Sequence, residues 1–182
     1  MKITNKHGLP QTFVNVLERP SYTKGHAHLS ATELLSSPQI VQLRKSHYDK
    51  LEQDVMDMVW SIIGTAVHGV LEKGADHNHI VEQRIHSELD SWQISGAIDL
   101  QIVREDGIEI NDYKTVGAWG VMNEKKEWEE QLNIYAWLVE RVKQQPVVAL
   151  KIIAIIRDWS RRDAETKHGY PAYRSYVAAL YS

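Results

Sequence analysis

The chain has 182 residues, with 21 lysines and arginines against 24 acidic residues, a formal net charge of −3 and no cysteine. That length suits one domain with a single core, and the charge is not that of a protein that coats nucleic acid over its whole surface. The missing thiols exclude disulfides, thiolate zinc sites and cysteine-held iron–sulfur clusters.

Residues 1–8 are polar and no long apolar run follows them, so no signal peptide is expected. No run reaches the ~18 apolar residues of a membrane span; the longest, residues 147–156, is broken by Lys151 and bounded by Arg157. A soluble, cytoplasmic chain with no membrane partner is the simplest expectation.

In chain order, residues 1–25 are mixed and read as a mobile arm or an extended edge segment. Ser30-Ala31-Thr32-Glu33 has the form of a capping box, opening a short helix through Leu35 that Pro38 interrupts. A helix resumes over residues 39–51. Residues 54–74 form the next one, with Ile63, Val67, Val70 and Leu71 on one side and His68 one turn after Gly64. His77 and His79 in its exit loop lack a cysteine or third clustered histidine, so they are not read as a metal pair. Residues 80–89, 92–103 and 107–115 read as three strands, and residues 116–126, with Gly117, Trp119 and Gly120, as a loop. An amphipathic helix over 127–144 leads to a strand over 147–156, apolar on both faces as at the centre of a covered sheet. No repeat, low-complexity tract or linker divides the chain. The class is α/β, a central mixed β-sheet flanked by helices.

The chemistry concentrates on two adjacent strands. In Gly96-Ala97-Ile98-Asp99-Leu100 the aspartate breaks an apolar run, and Ile108-Glu109-Ile110-Asn111-Asp112-Tyr113-Lys114-Thr115 follows a hairpin-like connection at Arg104-Glu105-Asp106-Gly107. Antiparallel pairing brings Asp99 close to Asp112. Alternation puts Asp112 and Lys114 on one face and Asn111, Tyr113 and Thr115 on the other. Two adjacent carboxylates repel unless a cation joins them. Oxygen ligands point to one or two Mg or Mn ions, with Lys114 neutralising the site and orienting a water.

Each residue also has a plainer reading. Asp112-x-Lys114 is equally the pattern of a surface ion pair, and His68 that of a satisfied core histidine. Gln131 and Tyr135, at i and i+4, either meet a phosphate or base or form the polar edge of a core helix. Trp119 and Trp128 either stack on unpaired bases or pack on the core. Arg157, Arg161, Arg162, Lys167 and Arg174 form the densest basic stripe, fit for phosphate contact or a solvated surface.

The ordered set Gly64-x-x-x-His68, Gly96-x-Ile98-Asp99, Asp112-Tyr113-Lys114-Thr115 and Gln131-x-x-x-Tyr135 resembles the PD-(D/E)XK nuclease superfamily, specifically its RecB-like branch and phage-encoded exonucleases. The resemblance implies a restriction-endonuclease-like core with Asp99, Asp112 and Lys114 catalytic. His68, Asp99, Asp112 and the Tyr113 carbonyl would ligate the metal, with Glu82 a further candidate. Gln131, Tyr135 and Thr115 would lie beside the substrate, with Trp119, Arg157 and Arg161 as outer contacts. It implies one nuclease domain: an arm and helical cap over 1–51, a catalytic core over 52–156, and a basic C-terminal segment over 157–182, shorter than in relatives that continue further. The partner would be DNA, single-stranded or at duplex ends, with the oligomeric state open, in the cytoplasm of a bacterial host if the protein is phage-encoded. Some RecB-like relatives hold an iron–sulfur cluster through four cysteines, which this chain lacks.

The implied activity is Mg- or Mn-dependent hydrolysis of DNA, most simply by an end-directed exonuclease in phage recombination, replication or degradation. A structure-selective or nonspecific endonuclease is the alternative enzyme. A non-catalytic DNA-binding recombination accessory on the same fold is a different class, against which Asp99, Asp112 and Lys114 all stand intact. A metal hydrolase of small substrates lacks any supporting motif such as His-x-x-x-His.

Overall fold

A computed structural model describes residues 1–19, 25–123 and 125–180. Parts of the expected arm (residues 20–24) and of the basic C-terminal segment (residues 181–182) lie outside the described residues.

The expected mobile arm carries a strand β1, Lys2–Thr4, and a helix α1, Gln11–Glu18. Strand β2, Leu29–Ser30, leads into α2, Ala31–Leu34, where Ser30 and Glu33 form the reciprocal capping box that the sequence announces. Pro38 opens the next helix, α3, Pro38–Ser46, since a first-turn proline lacks only an N–H that would have no partner there. Helix α3 stops short of residue 51, a 3-10 turn at Tyr48–Lys50 follows, and none of its residues is buried. Strand β3, Glu52–Asp54, pairs parallel with β1. Asp54 holds this corner together. One carboxylate oxygen accepts from Thr4 Oγ1 and Lys6 N, both at 2.9 Å, and the other caps the following helix through Met56 N at 3.1 Å. That anchor is why residues 2–6 are fixed.

Helix α4, Val55–Leu71, carries His68. Its apolar side is less buried than its periodicity suggests, with Ile63 38% and Val70 66% exposed. It approaches the sheet through small residues instead, and a Cβ at Gly64 would stand 3.2 Å from Thr115 Oγ1. Among the described residues, Val55–Gly74 is the one helix long and apolar enough to cross a bilayer by length and composition. The count of uninterrupted apolar residues passes over it because Gly64, Thr65, His68 and Gly69 break the run.

Strands β4, His79–Leu89, β5, Trp92–Val103, and β6, Ile108–Val116, follow, with β4 and β5 antiparallel along their length. Arg104 N donates to Gly107 O at 2.8 Å in the β5–β6 turn, and Gly107 takes a φ of 149° that disfavours a side chain. The segment expected as a loop contains helix α5, Ala118–Met122. Ala118 N donates to Asp158 Oδ1 at 2.7 Å, a cap forty residues distant that local sequence does not announce. Helix α6, Lys126–Lys143, ends on Gln144 in the left-handed conformation. Strand β7, Val147–Ile156, helix α7, Arg161–Thr166, and strand β8, Ser175–Leu180, complete the chain.

The sheet is mixed. Strand β5 pairs β4 on one edge and shares the other between β2 and β6; β6 pairs β7 parallel, and β7 pairs β8 antiparallel. Helix α6 buries Leu132, Tyr135, Leu138 and Val139 against Ile94, Ile98, Ile110, Leu150, Ile152 and Ala154. Strand β7 alternates between buried and half-buried residues rather than being buried on both faces. Lys151, half-buried on the weaker face, reaches the buried Glu109 carboxylate at 2.9 Å, beside Arg104 and Asn111.

Gly96 presses against α6, where a Cβ would meet Leu138 Cδ1 and Tyr135 Cε1 at 2.8 Å. Gly96→Val should therefore destabilise by roughly 1–3 kcal/mol through overpacking. Gly69→Ala, with nothing within 4 Å of the new methyl, should instead stabilise by up to about 1 kcal/mol. Urea denaturation of both variants checks the contrast, and equal midpoints would refute this packing.

Candidate functional site

The site opens where β5 and β6 part. Their last paired residues are Leu100 and Asn111, so Asp99 and Asp112 stand opposite each other one step beyond the ladder. Tyr113 N donates to Asp99 Oδ2 at 2.7 Å instead of to a strand carbonyl. Strand β2 pairs only at Ile94 and Ser95, and the gap becomes a cleft of about 530 Å³. Asp99, Asp112, Lys114 and Thr115 line it from the strands, Gln131 and Tyr135 from α6, Trp60, Gly64 and His68 from α4, together with Glu82 of β4 and Thr32 of α2.

Two groups of side chains occupy the cleft. In the first, His68 Nδ1 lies 3.3 Å from Glu82 Oε1 and 3.5 Å from Asp99 Oδ1, and its Nε2 is 3.2 Å from the Tyr113 carbonyl. In the second, the buried Asp112 places Oδ2 2.7 Å from Lys114 Nζ, an ion pair off hydrogen-bonding alignment. Lys114 Nζ donates to Gln131 Oε1 at 3.0 Å. Gln131 Nε2 donates to Tyr135 Oη at 2.6 Å and more weakly to Asp112 Oδ1 at 3.4 Å. Side-chain alternation along β6 separates the two partners: Asp112 and Lys114 meet α6 while Thr115 meets α4.

Glu82 owes its place to backbone strain. It faces Asp99 in the β4–β5 register, between the pairs Val81 with Leu100 and Gln83 with Ile98, yet makes no ladder pair and has φ 48°. A non-glycine residue in that conformation costs on the order of 1 kcal/mol, and such strain concentrates at functional sites.

The charges are interdependent. The hydrogen bond to Asp99, with the nearby Asp99 and Glu82 charges, raises His68 to about 9 against the opposing effect of burial. Burial and then Asp99 raise Glu82. Burial raises Asp112 to about 6, with Lys114 pulling the other way and Asp99 pushing it up.

One imidazole nitrogen and two carboxylate oxygens, all within 4.8 Å of one another, fit a divalent cation. Ligands about 2.1 Å from an octahedral centre stand about 3 Å apart, close to the separations around His68 Nδ1. This group of side chains includes Glu82 and not Asp112, while the Tyr113 carbonyl lies 3.2 Å from His68 Nε2.

The family model of the PD-(D/E)XK nuclease superfamily matches residues 70–179, more than half of the chain, with Glu82, Asp99, Asp112, Lys114 and Gln131 inside the match. The chain belongs to the PD-(D/E)XK nuclease superfamily. The match begins just past His68, so that residue joins the superfamily core through space. No curated protein matches the chain. The crystal structure of SSO0001 is similar in fold, with a TM-score of 0.64 at 16% identity over 94% of this chain and 74% of that one. Nucleases of this superfamily use divalent metals and act on DNA, and the His68, Glu82 and Asp99 group could hold such an ion.

Of the other residues singled out from sequence, Trp119 is 71% exposed and lies in a separate groove with Trp128, Lys125 and Lys126. Arg157 sits over the Trp60 ring at 4.2 Å, and Arg161 opens α7 without lining the cleft. Lys167 pairs with Asp163, and Arg174 lies over Trp159. Trp60 and Thr32 escaped the sequence reading. The signal for Trp60 was present, since Trp60, Gly64 and His68 recur at four-residue spacing on one helix face.

Because folding raises His68 from its ordinary 6.5 to about 9, its charge stabilises the metal-free fold fully below pH 6.5 and loses that effect as pH rises through 9. Chelator-treated protein should therefore lose melting temperature across that window, and His68→Ala should flatten the decline. Melting curves at pH 6 and pH 9.5 decide it; parallel losses in both proteins would show that His68 is not held as described.

Proposed function

We propose that this protein is an end-directed DNA exonuclease of the RecB-like branch, acting with Mg or Mn in phage DNA recombination, replication or degradation. We place it in the cytoplasm of a bacterial host, working as one nuclease domain. The observation that carries the reading is the single cleft in which the His68, Glu82 and Asp99 group adjoins the Asp112 and Lys114 pair.

In this proposal His68, Glu82 and Asp99 hold the cation, and Asp112, the cross-strand neighbour of Asp99, is the further carboxylate, with the Tyr113 carbonyl beside it. When bound, the divalent ion neutralises the carboxylates, polarises the scissile phosphate and makes an attacking water more acidic. The chain's own residues do the rest. Lys114 sets a positive charge where negative charge develops on the phosphoryl oxygens and orients the water whose oxygen attacks phosphorus, the water's proton passing to solvent; the bond from phosphorus to the sugar oxygen breaks, and that oxygen leaves with the electron pair and takes up a proton from solvent. Gln131 fixes the ammonium through its amide oxygen, and Tyr135 fixes Gln131. Thr115 lines the substrate side, and in this proposal Arg157 and Arg161, outside the cleft lining, are outer phosphate contacts.

The endonuclease reading has one observation in its favour. Of the expected helical cap, Thr32 lines the cleft, whereas α3 borders a separate groove with Met1 and Glu52. A lid of α2 alone would not oblige a strand to thread.

Asp112→Asn should abolish metal-dependent cleavage while leaving the fold intact, and Lys114→Ala should cost roughly two to three orders of magnitude, as for one preorganised charge partner. His68→Ala should reduce Mn-supported activity more than Mg-supported activity, imidazole being a softer ligand than carboxylate. Initial rates on linear and covalently closed circular DNA at one salt concentration check these roles and the mode together. Near-normal activity of folded Asp112→Asn would overturn the site, and equal rates on closed circles would replace exonuclease with endonuclease.

A further inference from the structure

We infer that Trp60 and Arg157 form a gripping pair for single-stranded DNA at the mouth of the cleft, so that an unpaired strand is what the site takes. The inference rests on the nuclease reading of the same cleft and names the form of its substrate.

Trp60 lines the cleft from α4, on the helix face that carries Gly64 and His68, and is 53% exposed. Arg157, just past the end of β7, lays its guanidinium over one face of the indole at 4.2 Å. Its backbone N–H donates to the Val116 carbonyl at 2.9 Å, and Val116 also lines the cleft. The pair therefore bridges α4 and the strand ends where the site opens. Neither partner is consumed by the fold. Among the described residues no carboxylate pairs with Arg157, and the indole is far from the full burial of a core tryptophan.

A guanidinium on one face leaves the other face of the ring for a base, while the outer N–H groups remain for a phosphate. The interior of a duplex cannot use that surface, because each base's π face there is already covered by its neighbours, and a terminal pair offers it one face only; an unpaired base is free to stack. Eight helical residues separate Trp60 from His68, about 12 Å along the axis at 1.5 Å per residue. At the ~3.4 Å spacing of stacked nucleotides, the gripped base lies a few positions from the phosphate beside His68. The pair thus sets which strand, and in what register, reaches the carboxylates.

The test uses the whole chain with chelator present, so that binding is read without cleavage. The probes are a fluorescent twelve-nucleotide thymidine strand, a set of the same strands with one abasic position each, and a mixed-sequence duplex of equal length. Trp60→Ala should weaken single-strand binding roughly tenfold or more while sparing duplex binding, and Trp60→Phe should recover much of it. One abasic position should weaken binding to the unsubstituted protein and lose that effect in Trp60→Ala. Arg157→Ala should lower the slope of log affinity against log salt by about 0.7, and Arg157→Lys should retain the slope. The abasic series on the unsubstituted protein keeps the test valid if a variant misfolds. Uniform tolerance of abasic positions, or equal loss on strand and duplex, overturns the proposal. Failure to cleave DNA with any divalent metal would sink the nuclease reading while leaving this binding result standing.

Discussion

Everything in the cleft follows from one electrostatic constraint. Asp99 and Asp112 are buried side by side at the point where two strands stop pairing, and Glu82 faces the first of them across the neighbouring strand. Three carboxylates so placed cannot all remain charged without cations. The protein alone supplies two, His68 for Glu82 and Asp99, and Lys114 for Asp112. The same arrangement that keeps the metal-free fold tolerable would let the proton on His68 give way to a divalent ion, with the neutral imidazole becoming one of its ligands.

The fold keeps those charges at working distance. A tight turn at Gly107 fixes the β5–β6 register, and with it the opposition of Asp99 and Asp112. Gly96 and Gly64 let α6 and α4 come close on opposite sides of the diverging strands. Helix α6 then delivers Gln131 to Lys114, and α4 delivers His68 to Asp99. Moving either helix outward would lengthen an ion pair or a hydrogen bond that holds these charges in place.

Much of this was legible in the sequence because it depended on local periodicity. The hairpin and alternation rules placed Asp99, Asp112 and Lys114, and the i, i+4 spacing placed Gln131 with Tyr135. Ser30 and Glu33 announced their capping box. What stayed hidden depended on distant partners or on backbone outliers. Glu82 was a candidate through the resemblance alone, because its place beside Asp99 comes from a left-handed backbone that strand alternation does not foresee. Helix α5 needs a cap from Asp158, the N-terminal segment needs Asp54, and Trp60 gains meaning only when Arg157 arrives from the far end of β7. The apolar stripe of α4 misled for a related reason: close approach through glycine leaves its larger side chains outside.

The central claim is that a divalent cation sits among His68, Glu82 and Asp99. Anomalous scattering from crystals soaked in Mn tests it directly. The account predicts a peak within about 2.3 Å of His68 Nδ1 and of one oxygen from each of Glu82 and Asp99. A Mn peak held by other carboxylates, with His68 still against Glu82, or no peak in the cleft at saturating Mn, would contradict it.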